Sequence, residues 1–277
     1  MGAMTEIFLG GEALATGHAT RQSLRTHYRA VHRGVYVSRD ATLTLRDRAV
    51  AAWLASRRKG VVAGPAAAAL HGAPWLDADA AIELLGATCQ AQPGLVPLAD
   101  RFADDEVTVM AGLPVTTRVR TAFDIGRHID RREALARLDA LMWSEPYAIA
   151  AVDALIERYP RAQGVRRLRA LLPLVDGGAA TPRESRVRLW LIDAGFPAPE
   201  TQIPVVENGE PVAFLDMGWP ECKVAVDCGA DIATLRMLHA LGWAVVPVAN
   251  ENRPVDWLAA VEDALARRGF FVETHAA

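Results

Sequence analysis

Three carboxylates in the last third of the chain are spaced so that they could share a metal ion. Asp216 closes the apolar run Val212-Ala213-Phe214-Leu215, and Asp227 closes Val224-Ala225-Val226, ten intervening residues later. Two strands that end side by side would bring these two together, with Glu184 from a preceding helix as a third ligand. Converging carboxylates suit Mg²⁺, which prefers hard oxygen ligands, activates water and neutralises charge developing on a phosphodiester. Each acid also has a purely structural use. Thr181-Pro182-Arg183-Glu184 has the spacing of a capping box. Asp227 at a strand end can cap the next segment, and Asp216 can pair with an arginine or close a turn.

The elements needed to position these acids follow from the pattern around them. "TPRESRVRLWLIDAGFP" predicts an amphipathic helix, and "TQIPVVENGEPVAFLDMGW" a hairpin turning at Asn208-Gly209. "CKVAVD" predicts a third strand, "DIATLRMLHALGW" a helix, "AVVPVA" a fourth strand and "VDWLAAVEDALARRG" a closing helix. Strand alternation sets Lys223, Ala225 and Asp227 on one face and Cys222, Val224, Val226 and Cys228 on the other. Val205, Phe214, Leu215, Val224 and Val226 are the expected sheet core. Lys223 is a poor catalytic base for Asp227, since four strand residues separate them by about 13 Å.

The other chemically suggestive segment is basic. From Thr20 to Gly60 ten arginines and lysines face two aspartates, a local charge of +8, which leaves −11 to the rest of a chain whose net charge is −3. The pattern of residues 10–40 predicts helix, turn, helix and hairpin, the order of a winged helix-turn-helix. Thr20 is placed to cap the second helix, and Gly34 ends the pattern before Val35-Tyr36-Val37. Arg21, Gln22 and Arg25 are then expected at the major groove, with Arg29, His32 and Arg33 at phosphates. Arg21, Arg25, Arg29 and Arg33 recur at fourfold spacing and would line one side of a helix that ran that far.

Between these two regions "TLTLRDRAVAAWLASRR" predicts a helix capped by Thr44, with Leu45, Ala49, Ala52 and Trp53 on one stripe. A short helix begins near Pro65 and ends at Gly72, and its His71 fits backbone bonding near Trp75 better than catalysis. Short strands and a long helical stretch follow, up to the breaker "DGGAATP". Cys89, Cys222 and Cys228 lack zinc or disulfide spacing and are expected to be reduced. The leading Met-Gly-Ala before Met4 has the look of a cloning remnant. No targeting segment or run of about 20 apolar residues is apparent, so a cytoplasmic chain without membrane contact is expected.

Taken in order, "ATPRESRVRLWLIDAGFPAPETQIPV", "AFLDMGW", "KVAVD" and "ALGWAVVPV" resemble an actinobacterial family of uncharacterised proteins. Their C-terminal domain is similar to very-short-patch-repair endonucleases of the PD-(D/E)xK fold. Upstream, "LATGHATRQSLRTHYRAVHRGVYV" and "RDRAVAAWLASRRKGVVAGPAAAALHGA" resemble AbiEi-type antitoxins and regulators. The resemblance implies that Glu184, Asp216 and Asp227 are the acidic positions of the nuclease motif, with Asp216 and Asp227 holding the metal. This chain departs from the family just beyond them. Asp227 stands where family members carry Glu, and the Asp-Gly, His and arginine-rich elements that usually follow are missing.

The expectation is therefore a mixed α/β protein in three parts: a winged helix-turn-helix over 1–58, a mixed and helical middle region over 59–178, and a restriction-endonuclease-like α/β domain over 179–277 with a degenerate site. The functional expectation is a DNA-binding regulator or antitoxin-like protein, bound to double-stranded DNA through Arg21, Gln22, Arg25, Arg29 and Arg33. The alternative is an active Mg²⁺-dependent endonuclease; without a working site no cofactor is implied. A toxin-like protein partner or a homodimer is the further partner expectation.

Overall fold

The computed structural model describes residues 5–75, 80–249 and 254–270; the leading Met-Gly-Ala and Met4 lie outside the described residues. The fold is mixed α/β, and its contacts gather the chain into two compact units, residues 1–128 with 144–169 and residues 129–143 with 170–277. The first unit thus combines the winged-helix segment with most of the middle region. Residues 129–143, expected in that middle region, fall in the second unit.

The first unit begins with β1 (Ile7–Leu9), α1 (Gly10–Ala15), α2 (Arg21–Thr26), β2 (Tyr28–His32) and β3 (Val35–Ser38), which pair as an antiparallel sheet ordered β1-β3-β2. Helix, turn, helix and hairpin are present as expected, and β1 is an addition that three residues were too few to announce. Then come α3 (Leu45–Ala55), β4 (Val61–Ala63), α4 (Gly64–Leu70), β5 (Ile82–Leu85), β6 (Leu95–Leu98), β7 (Val107–Met110), β8 (Leu113–Thr116) and α5 (Arg118–His128). The five strands form a mixed sheet ordered β6-β5-β4-β8-β7. Ala49 and Ala52 of α3 pack on it with Val62, Ile82 and Leu84, and Leu45 and Trp53 lie against the same cluster, the stripe the periodicity predicted.

The second unit takes all but the last residue of α6 (Arg131–Ser144), and the chain returns to the first for α7 (Ile149–Arg158) and most of α8 (Val165–Leu171). The remainder is α9 (Pro182–Asp193), β9 (Glu200–Glu207), β10 (Glu210–Trp219), β11 (Val224–Asp227), α10 (Ile232–Ala240), β12 (Ala244–Pro247) and α11 (Pro254–Arg267). This is the predicted helix, three strands, helix, strand, helix. The sheet runs β12-β11-β10-β9, with β11 and β12 parallel and the others antiparallel.

Positive φ at Asn208 (53°) and Gly209 (87°) makes the tight turn between β9 and β10. Val187, Leu191, Met217, Val224, Val226, Trp257 and Val261 bury one face of the sheet; Ile203, Val205, Leu215, Ala225, Leu238 and Trp243 bury the other.

Three expectations need correction here. Phe214 is not core: it is 60% exposed, because neighbours on a strand face opposite ways and Leu215 takes the inward position. Lys223 lies outside β11 with φ at 51°, and its Nζ reaches the Leu241 carbonyl at 3.4 Å, so it shares no strand face with Asp227. Asp231 is not inside the helix but caps α10, accepting the Thr234 N–H at 2.7 Å.

Candidate functional site

The acidic site grows from the pairing of β10 with β11. Met217 pairs with Val226, so Asp216 and Asp227 occupy the next step of the same antiparallel ladder. Asp216 Oδ2 accepts the Cys228 N–H at 2.6 Å. Asp227 Oδ1 accepts the Gly229 and Ala230 N–H groups at 2.8 and 2.5 Å, capping the bend into α10. Glu184 sits in the first turn of α9 beneath its cap. Its N–H donates to Thr181 Oγ1, while its Oε1 accepts the Thr181 hydroxyl at 2.7 Å and its Oε2 accepts the Ala180 N–H at 2.9 Å. The forward half of the capping box is present, and the returning bond goes one residue further back than the motif specifies.

All three acids line one open cleft of about 460 Å³, together with Arg183, Phe214 and Cys228. Glu184 and Asp227 are buried and Asp216 half-buried. Burial pushes the Asp216 carboxyl up to about 6; the Cys228 N–H opposes this and the charges of Asp227 and Glu184 add to it. Burial also pushes the Cys228 thiol up to about 12, with Asp216 next in effect. A thiol held protonated is neither a nucleophile nor a good metal ligand at neutral pH.

As a metal centre the donor set is incomplete. Both Glu184 oxygens are engaged, and each aspartate commits one oxygen to backbone N–H groups. Among the described residues, the trio of acidic, His or Cys groups whose ligand atoms all lie within 4.8 Å of one another is Asp100, Asp124 and His128, not Glu184, Asp216 and Asp227. That other trio belongs to an ion-pair network in the first unit. Arg120 and Arg127 each bond a different oxygen of Asp124 at 2.9 Å, and Arg127 also reaches Asp100 at 2.5 Å. Two guanidinium groups stand where a cation would have to be.

The basic segment is held by its own capping box: Thr20 Oγ1 accepts the Ser23 N–H at 3.0 Å, and Ser23 Oγ accepts the Thr20 N–H at 2.8 Å. Arg21 and Gln22 therefore stand exposed in the first turn of α2, with Arg25 exposed one turn on. The fourfold arginine spacing does not make a helical face. The helix ends at Thr26, because Tyr28, Arg29 and Ala30 pair with β3. Arg29 lies half-buried on β2 with its Nη2 on the Ala41 carbonyl at 2.9 Å, and Arg33 is exposed at the β2–β3 turn. His32 does not face solvent phosphate: it is 6% exposed, and burial, aided by the charge of Arg48, lowers its pKa.

The basic residues divide by occupation. Arg29, Arg39, Arg46, Arg48 and Arg58 each donate to a backbone carbonyl or to Glu12. The side chains of Arg21, Arg25, Arg33, Arg57 and Lys59 are all exposed and make no protein hydrogen bond or ion pair among the described residues. Arg57 and Lys59 were visible in sequence only as part of the charge count. His71 bonds backbone as expected, its Nε2 lying 2.7 Å from the Thr116 carbonyl.

No family model matches the chain. It is similar to two uncharacterised proteins of Mycobacterium tuberculosis, from strains CDC 1551 / Oshkosh and ATCC 25618 / H37Rv. Each is 27% identical over 231 residues, covering 79% of this chain and 84% of the relative. No helix among the described residues is long and apolar enough to cross a membrane.

Proposed function

We propose that the protein binds double-stranded DNA through its N-terminal basic surface, as a regulator or antitoxin-like protein, and that its nuclease-like acidic site has lost catalytic competence. The reading rests on Arg21, Arg25 and Arg33, exposed cations without protein partners among the described residues, in a segment with the winged-helix order. Unpaired surface cations release condensed counterions when they meet phosphates, so binding should weaken steeply with salt. Gln22, beside Arg21 in the exposed first turn of α2, is the candidate for base-edge contact. The test is fluorescence anisotropy with labelled duplex DNA across a salt series. Affinity should fall linearly on logarithmic axes, and Arg21→Gln with Arg25→Gln should flatten the slope by about two phosphate contacts. Absence of binding at low salt rejects the reading.

The second reading, a Mg²⁺-dependent endonuclease, draws support from Asp216 and Asp227 at adjacent strand ends in one cleft. Against it stand the engaged Glu184 oxygens and the lack of a base. If an ion were bound it would activate water, and Asp216 and Asp227 are the residues to hold it. A basic surface also suits an acidic protein partner or a second copy of the chain; such a complex would be detected by a mass increase without DNA.

A further inference from the structure

A second basic concavity of the first unit has no residue of α2 in its lining. It encloses about 620 Å³ and is bordered by Arg33 from the β2–β3 turn, Arg57 and Lys59 from the end of α3, and Thr88, Gln90 and Gln92 from the loop between β5 and β6. Three cations without protein partners among the described residues share it, and no carboxylate of those residues lines it. Ala55 and Cys89 are its apolar lining, whereas pockets for small organic ligands are mostly apolar. Open shape, unpaired cations and neutral hydroxyl and amide donors suit a chain of phosphodiesters.

The local backbone maintains this arrangement at some cost. Arg57 and Arg58 adopt φ of 58° and 62°, a left-handed pair that closes α3 by donating to the Leu54 and Trp53 carbonyls at 2.9 Å. Glycine usually takes such positions, so both arginines hold a strained backbone conformation. Arg58 turns to Glu12 at 2.6 Å and leaves Arg57 to the cleft. Across from it, Gln92 Oε1 accepts the Arg33 backbone N–H at 2.7 Å, while the Gln92 backbone is bridged to Leu95. The turn carrying Arg33 is thereby tied to the rim of the cleft.

We infer that this cleft is a second seat for the sugar-phosphate backbone of the duplex, built jointly by the β2–β3 turn, the end of α3 and the β5–β6 loop. The inference rests on the DNA-binding reading and extends it from the winged segment into the five-stranded sheet's loops. Arg33 is an exposed cation of the winged segment and also borders the cleft.

The experiment compares the full-length protein with Arg57→Gln/Lys59→Gln by anisotropy over a salt series. The double variant should lower the slope of log affinity against log salt by about 1.8, two contacts at about 0.9 each, and should do so equally for different duplex sequences. Arg21→Gln/Arg25→Gln should add its own reduction to that. As a measurement that needs no substitution, duplex DNA should protect the cleft's Cys89 from a thiol reagent, with high salt restoring its labelling. If the parent binds but the Arg57→Gln/Lys59→Gln slope is unchanged, or Cys89 labels equally with and without bound duplex, the second seat is overturned and the α2 contact stands. If the parent binds no duplex, both readings fall together.

Discussion

Asp216 accepts the backbone N–H of Cys228 at 2.6 Å, one ladder step beyond the pairing of Met217 with Val226. The carboxylate therefore finishes the β10–β11 pairing in place of a backbone carbonyl, and it does so half-buried beside two other acids. A group in that position is held by the fold whether or not it ever meets a metal.

This predicts a specific pH dependence. The folded pKa of Asp216 is raised to about 6, whereas an unfolded aspartate titrates near 3.9. Between those values the native state keeps a proton that the unfolded state has released, so this group's contribution to stability declines as pH rises through the window. Asp216→Asn should remove that decline, by roughly 1–3 kcal/mol. Urea melts of parent and variant at pH 4.5 and 7 read the difference; a gap that does not change with pH contradicts it.

Incubation with Mg²⁺ or Mn²⁺ should leave plasmid and linear DNA uncut. Glu184 has both oxygens committed, and no lysine or histidine joins the acids lining the cleft. Asp216→Ala/Asp227→Ala is the control, assayed by gel for nicking. Cleavage by the parent that the double variant abolishes would establish an active endonuclease.

Stability of the second unit should depend on a buried pair. Arg188 Nη2 bonds Asp139 Oδ2 at 2.9 Å, and Asp139 also accepts the Asp176 N–H at 2.8 Å. Arg188→Met leaves a buried carboxylate without its cation and should destabilise by about 3–5 kcal/mol. Adding Asp139→Asn should recover part of that loss. A thermal melt in which the single and double variants coincide would contradict the pairing.

A related outcome concerns dissection. A fragment beginning at Ala180 loses Asp139 and the rest of α6, and with them the partner of Arg188; one beginning at Ile129 retains both. The longer fragment should be the better folded by far-UV circular dichroism and urea titration, and equal stability of the two would sink the idea.

Much of this architecture was legible in the sequence because it rests on local signals. Thr20, Thr44 and Thr181 cap helices as read, and Asn208-Gly209 turns a hairpin as read. The adjacency of Asp216 and Asp227 followed from two strand ends and one hairpin. What was not legible depended on partners distant in sequence. The arginine spacing suggested a face that the helix is too short to supply, since β3 captures Tyr28 and its neighbours. His32 is basic in composition but buried in fact. Arg57 and Lys59 gain significance from Gln90 and Gln92, about thirty residues further along, a relation that no local pattern encodes.

The chain leaves its first unit after His128, returns at Ser144 and departs again after Arg169. Neither unit is therefore a continuous stretch of gene. A recombination joint anywhere between codons 129 and 169 would split both bodies at once, and during translation the first unit cannot be completed until part of the second has already emerged.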